Sequence, residues 1–182
     1  TSASKLGKIG LVAAGALTVA IKAGIDSLAT LESATTSVGG AIKQMGLTGK
    51  VTSGQIAGWA NEIEASVQAA FDDKDITAAA ATLIRYGRVT TANLRPAMVV
   101  MTDLAARTGN VGSAADLLAK ALLDPTKATR ALKQAGVVLT KEQLKQIEAL
   151  KKAGKVGQAQ KIILDAIAKG TKGAAAALNG PF

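Results

Sequence analysis

The stretch "ALLDPTKATRALKQAGVVLT", Ala121–Thr140, contains the signals that decide the fold. Asp124 is a helix-capping residue type, and Pro125 suits the first position of a helix, where its missing N–H costs nothing. Gly136 is suited to ending that helix. The stretch therefore predicts two helix boundaries in close succession, with a short helix between them.

The end of the same stretch predicts a further boundary. Val137–Leu139 is too short for a strand, and we expect it to be an extended link whose apolar side chains enter the core. Thr140 can cap the next helix, with Gln143 as the partner of a capping box. The residues of this stretch that carry the pattern are structural in type: Asp124, Pro125, Gly136 and Thr140.

The same combination of caps and periodic apolar residues continues outward along the chain. Thr52 and Gln55 form a second capping box before the stripe of Ile56, Trp59 and Ile63. Asn93 is expected to cap a helix that has Pro96 in its first turn. We predict an all-α fold: a long N-terminal helix plus a compact multi-helix domain with short capped helices and no strand.

The glycine content divides this sequence into four predicted regions. An alanine-rich N-terminal helix covers 1–38, and a glycine-rich linker covers 39–52. The helical domain covers 53–170, and a C-terminal tail covers 171–182. The chain starts at Thr1 without a methionine and ends abruptly, so we expect a piece of a longer protein.

Composition restricts the chemistry. Of the 182 residues, 48% are hydrophobic, mainly Ala, Leu, Ile and Val, and only 2% are aromatic. Cysteine and histidine are absent, which excludes disulfides, Cys/His zinc sites and the usual general base near neutral pH. We therefore predict no catalytic residues, no cofactor and no metal.

The most apolar run, Ile9–Ile21, is flanked by lysines. It is shorter than the ~18–20 residues that span a bilayer. Small residues four apart allow a second helix to approach closely, so this run is a candidate contact with another copy or with lipid, against the simpler interpretation of a buried core helix. The candidate contact residues are Ile9, Leu11, Val12, Ala16, Ala20 and Gly24.

The formal net charge is +9, and much of the excess lies late in the chain. Eight lysines stand against three carboxylates between Lys141 and Lys172. This charge is compatible with a solvated face, acidic lipid, an acidic protein wall or nucleic acid. Because no aromatic residues lie among the lysines, the stacking pattern of single-strand binding is missing, and we expect no sequence-specific nucleic acid partner.

Several pieces of the sequence, in order, resemble a helical segment shared by tail tape measure proteins of long-tailed bacteriophages. The resemblance covers residues 83–178. The matching pieces are "LAARTG", "LAKALLDPTKATRALKQAGVVLT", "QIEALKKAG", "AQKIILDAI" and "KGAAAAL".

The resemblance implies a virion structural protein without catalytic residues in this segment. Such proteins occupy the tail tube lumen and contact the tail tip, set tail length during assembly, and leave ahead of the DNA to help genome delivery through the host envelope. The implied partners are tail tube and tail tip proteins, further copies of the chain, and the host membrane after ejection. We prefer a trimer, because three copies match the symmetry of many tail tips, with a hexamer as the alternative.

Two other functions stay open at this point. The run Ile9–Ile21 and the lysine-rich C-terminal third favour a membrane-active or pore-forming helical protein. A cell-wall hydrolase would need a carboxylate acid, and Glu62 or Glu64 is the candidate. These two glutamates are two residues apart and point to different faces of a helix, which is a poor arrangement for an acid/base pair.

Overall fold

The computed structural model describes residues 26–67 and 70–178. In that part of the chain all regular structure is helical, which confirms the predicted all-α class; the predicted long N-terminal helix falls mainly on residues 1–25, outside the described residues. The first helix, α1, is described over 26–44. The later helices are α2 (Ser53–Ser66), α3 (Asp73–Arg85), α4 (Thr91–Thr108), α5 (Val111–Leu123), α6 (Pro125–Gln134), α7 (Lys141–Lys152), α8 (Val156–Thr171) and α9 (Ala174–Ala177).

The chain divides into two units, Thr1–Ser33 and Ala34–Phe182. In the described part of the first unit, 26–33, the chain is helical and the Thr30 hydroxyl donates to the Asp26 carbonyl at 2.7 Å. Residues 1–25 lie outside the described residues. So do the candidate contact residues Ile9, Leu11, Val12, Ala16, Ala20 and Gly24.

The second unit is organised around α4, which packs against α3, α5, α8 and α9. Eight residues of α4 are buried, among them Leu94, Met98, Met101 and Leu104. Helix α2, whose Ile56 and Ile63 are buried as their spacing predicts, packs against α3 and α4, whereas α6 packs on α5 and α7 packs on α8. The largest fully buried side chains are Ile56, Ile76, Leu83, Ile84, Leu94, Met98, Met101, Leu104, Leu118, Leu132, Ile147 and Ile163.

The structure differs from the linker predicted over 39–52. Helix α1 continues to residue 44, and Ala41 and Ile42 are buried in the core. The glycines do not break the helix, and the Arg85 guanidinium lies beside Gly40, 3.5 Å from where a Cβ would stand. Arg85 Nη2 donates to the Ser37 carbonyl at 3.0 Å, which joins α1 to α3.

The predicted cap at Asn93, with Pro96 in the first turn of the helix, is wrong. The helix begins at Thr91, so Pro96 lies inside it, on an exposed turn. The proline removes one helical hydrogen bond to the carbonyl of Ala92, and water can replace it because Ala92 is also exposed. Asn93 caps no helix; its side chain donates to the Gly157 carbonyl at 2.9 Å and so joins α4 to α8.

The predicted C-terminal tail is partly folded. Thr171 is buried at the end of α8, and α9 follows and packs on α4. The Asp103 carboxylate of α4 accepts the backbone N–H groups of Gly173 and Ala175 at 3.3 and 3.2 Å. It thereby satisfies N–H groups that the short helix α9 leaves without a partner.

Candidate functional site

The candidate site is the junction of α5, α6 and α7, which contains the residues that the sequence singled out. Its first boundary is at Asp124, as predicted. The Asp124 carboxylate accepts the backbone N–H groups of Thr126 and Lys127 at 3.2 and 3.4 Å, and Pro125 occupies the first helical position and is buried. The chain therefore turns sharply from α5 into α6 with its N–H groups satisfied.

The charge of Asp124 is stabilised at this boundary. The hydrogen bond from the Thr126 hydroxyl is the largest cause that lowers the pKa of the Asp124 carboxyl, followed by hydrogen bonds from Lys127. The Lys127 ammonium lies 3.3 Å from the carboxylate. Asp124 is therefore ionised at neutral pH and serves as a cap.

Gly136 ends α6 as predicted, in a left-handed conformation with φ of 82°. The Val137 N–H donates to the Leu132 carbonyl at 2.8 Å, and the Gly136 N–H donates to the Lys133 carbonyl at 3.1 Å. These two bonds form a Schellman motif. The left-handed conformation favours glycine over any residue with a Cβ.

The link from α6 to α7 alternates between core and surface. Val137 and Leu139 are buried, as predicted, whereas Val138 is 65% exposed. At its end Thr140 and Gln143 form the predicted capping box, with bonds of 3.2 Å to the Gln143 N–H and 2.9 Å to the Thr140 N–H. The start of α7 is therefore fixed by two hydrogen bonds between Thr140 and Gln143.

An open groove of about 460 Å³ lies between the α5–α6 turn and α7. Leu123, Pro125, Leu144 and Ile147 contribute its apolar lining, and Lys151 is among its polar residues. The Lys151 ammonium donates to the Leu123 carbonyl at the end of α5. Burial lowers the pKa of Lys151, and the nearby Asp124 charge opposes that shift.

The contact of Lys151 is not predicted by the sequence. Its contact with Leu123 joins residues 28 positions apart and depends on how α7 packs. Sequence periodicity places Lys151 next to the buried stripe of α7, but it does not identify which carbonyl the ammonium meets.

The two glutamates considered as catalytic acids have different neighbours. Glu62 forms an ion pair with Arg95 of α4 at 2.7 Å. Partial burial, followed by the charges of Asp73 and Asp72, raises the pKa of Glu64. The structure therefore does not bring Glu62 and Glu64 together as a pair.

A test of the first boundary uses two substitutions of Asp124. We expect Asp124→Ala to lower the melting temperature at neutral pH, because the N–H groups of Thr126 and Lys127 lose their acceptor. Asp124→Asn retains an acceptor oxygen but loses the charge, so it is expected to melt between Asp124→Ala and the unsubstituted chain. Equal melting temperatures for the two variants would contradict the capping role.

The unsubstituted chain and Asp124→Asn should also differ in how their stability depends on pH. Because the pKa of Asp124 is lowered by folding, its charge stabilises the fold above the pKa of an unfolded aspartate, ~3.9. That contribution is lost as the pH falls through the lower pKa of the folded state. Thermal melts across this range should show the difference between the unsubstituted chain and Asp124→Asn shrinking in acid.

Among the described residues, no helix is both long enough and apolar enough to cross a bilayer. Comparison of the chain with protein-family models, with curated proteins and with solved structures found no match in any of the three.

Proposed function

We propose that this chain is a segment of a tail tape measure protein of a long-tailed bacteriophage, and that it acts by packing and assembly rather than by catalysis. In this proposal it occupies the lumen of the tail tube and the tail tip, sets tail length during assembly, and is released to help genome delivery through the host envelope. The observation that carries the proposal is the ordered succession of sequence pieces over residues 83–178.

The structural roles of these pieces support the proposal. "LAARTG" is the end of α4, and the longest piece runs through α5, α6 and their link to α7. "QIEALKKAG" belongs to α7 and its glycine end, and "AQKIILDAI" contributes the buried side of α8. Each piece contributes helix ends or core contacts, which suits a segment whose work is to assemble.

The partners of such a segment follow from its place in the tail. We propose contacts with tail tube and tail tip proteins and with further copies of the same chain, and contact with the host membrane after ejection. Three copies are our preferred number, with six as the alternative. Light scattering of the purified chain at high concentration tests self-association without the tail.

A reconstruction of virions by electron microscopy tests the proposal directly. The helices of residues 34–178 should fit density inside the tail tube or at the tail tip, and the symmetry of that density gives the copy number. Density for these helices on the outside of the tail or in the capsid would exclude the proposal.

Tail length provides a second measurement in the same phage. An in-frame deletion of about 100 helical residues elsewhere in the full-length protein should shorten the tail by about 150 Å, at the ~1.5 Å rise of a helix. A Pro125→Ala substitution in the same phage changes no length and serves as the matched control. An unchanged tail length after the deletion would contradict the role in length determination.

A further inference from the structure

Exposed cations are concentrated on α6, α7 and the turn after α7. Residues 124–155 carry eight lysine or arginine side chains and three carboxylates, a net charge of +5. Seven of these cations are exposed, and we call them the basic surface: Lys127, Arg130, Lys133, Lys141, Lys145, Lys152 and Lys155.

Most of this charge has no partner within the described chain. Lys127 pairs with Asp124 and Lys152 pairs with Glu148, at 3.3 and 2.8 Å. The other five side chains of the basic surface form no ion pair with any described residue. An external anion could therefore bind them without breaking an existing contact.

Helix geometry places these cations on outward faces. On α6, Lys127, Arg130 and Lys133 recur every three residues on the side away from the buried Ala128 and Leu132. On α7, Lys141, Lys145 and Lys152 follow one line along the side away from Ile147. Both helices thus present cations to solvent while their apolar residues stay in the core.

Exposed aliphatic side chains are close to these cations in the sequence, and one of them shares a groove with Lys145. Leu123, Val138 and Val156 are 50%, 65% and 42% exposed, and they are three of the seven large apolar residues exposed in the described chain. Leu123 lines the same groove as Lys145 and Lys151. Val138 lies three residues before Lys141, and Val156 directly follows Lys155.

The combination of exposed cations and exposed aliphatic side chains indicates which kind of polyanion the basic surface fits. Residues 87–178 contain no aromatic side chain on which a base could stack. The phosphates of nucleic acid would use the cations and leave the three aliphatic side chains in water, and an acidic protein would need an apolar patch beside its carboxylates to cover them. The surface of an anionic bilayer accommodates both, since phosphates lie beside the boundary of the acyl chains.

We propose that the basic surface, together with Leu123, Val138 and Val156, binds the surface of an anionic lipid bilayer without crossing it. Each cation that reaches the lipid surface contributes roughly a fivefold gain in affinity. Contributions of this kind are screened by salt. The proposal rests on the host membrane contact proposed above and names the surface that would make it; its failure in the isolated chain would withdraw that contact and leave the placement in the phage tail untouched.

Cosedimentation with vesicles tests the proposal on the full chain. Vesicles made of equal parts of phosphatidylglycerol and phosphatidylcholine should bind the chain, and vesicles of phosphatidylcholine alone should not. The double substitution Arg130→Glu with Lys133→Glu should weaken binding at least about tenfold. Circular dichroism of each variant shows that the helices are retained.

The matched control is Lys43→Glu with Lys50→Glu. These two lysines are exposed near the end of α1, and their reversal changes the net charge by the same amount. This control should keep most of the binding. An equal loss in both double variants would show that binding depends on net charge rather than on the basic surface. No loss in either variant would show that another segment binds the lipid. Either result would overturn the proposal.

The aliphatic contribution has its own test. Leu123→Ser with Val138→Ser should weaken vesicle binding by roughly tenfold while leaving the salt dependence unchanged, since only buried methylene groups are lost. Soluble polyglutamate and duplex DNA are the competing polyanions. If either binds the basic surface while the anionic vesicles do not, the bilayer is the wrong partner.

Discussion

Replacing Gln160 by leucine is expected to destabilise the helical unit by about 2–3 kcal/mol, although the two side chains have similar volumes. Gln160 is 1% exposed, and most of the other buried residues of α8 are apolar. Its Oε1 accepts the Thr90 backbone N–H at 3.0 Å, and its Nε2 donates to the Arg88 carbonyl at 2.9 Å. Leucine leaves these two backbone groups without a partner.

The Asn93 side chain belongs to the same network. Its Nδ2 lies 2.9 Å from the Gly157 carbonyl and 3.4 Å from Gln160 Oε1. The network therefore attaches α8 to the turn between α3 and α4 and to the first turn of α4. Because α8 also packs against α7, loss of the network should weaken the attachment of the C-terminal helices as a group.

Urea denaturation measures this change as a shift in the midpoint at constant slope. The thermal midpoint should fall by roughly 5–10 °C for a unit of this size. The matched control is Gln158→Leu, an exposed position on the same helix, where the change should stay within about 0.5 kcal/mol. Equal destabilisation by both substitutions would show that the Gln160 network contributes little.

The fold features that the sequence predicted are local. Asp124 binds N–H groups two and three residues ahead, and Thr140 exchanges bonds with Gln143. Contacts between residues two or three positions apart depend on residue type and spacing. They do not depend on how distant helices pack. The all-α class, both capping boxes and the glycine end of α6 follow from such contacts.

The features that the sequence missed depend on distant residues. Gln160 binds backbone groups 70 and 72 positions away, and Asp103 meets Gly173 across 70 positions. The glycines near residue 40 predicted a linker, whereas the bond from Arg85 to the Ser37 carbonyl, which joins this part of α1 to α3, is a tertiary contact. One signal was present, since Gln160 is a polar residue inside the apolar stripe of α8, where a buried polar side chain requires partners.

The junction of α5, α6 and α7 shows the same division. Its two boundaries were predicted residue by residue. The groove and the Lys151 contact arise only when α7 packs on α8 and brings its side chains to the end of α5. The charge of the basic surface was visible in the sequence, whereas the exposure of Leu123 and Val138 beside it required the structure.

Substituting alanine for Gly87 is expected to cost about 1–3 kcal/mol, because the added methyl group has no space. A Cβ at this position would stand 2.7 Å from the Leu83 carbonyl oxygen and 3.3 Å from the Ala119 Cα of α5. Both are backbone atoms, so a rotamer change cannot relieve the contact. The turn after α3 would have to move away from α5, which α3 contacts extensively.

The same substitution at Gly58 is the matched control, and it should change stability in the opposite direction. Gly58 lies inside α2 and is exposed, and a Cβ there meets no atom within 4 Å. Alanine should stabilise this position by about 0.5–1 kcal/mol, the difference in helix propensity between the two residues. Thermal and urea unfolding of both variants measure the two signs. Stabilisation by Gly87→Ala would mean that α3 and α5 are further apart than their packing at Ala119 indicates. The added methyl group can stabilise the chain only if it meets no neighbouring atom.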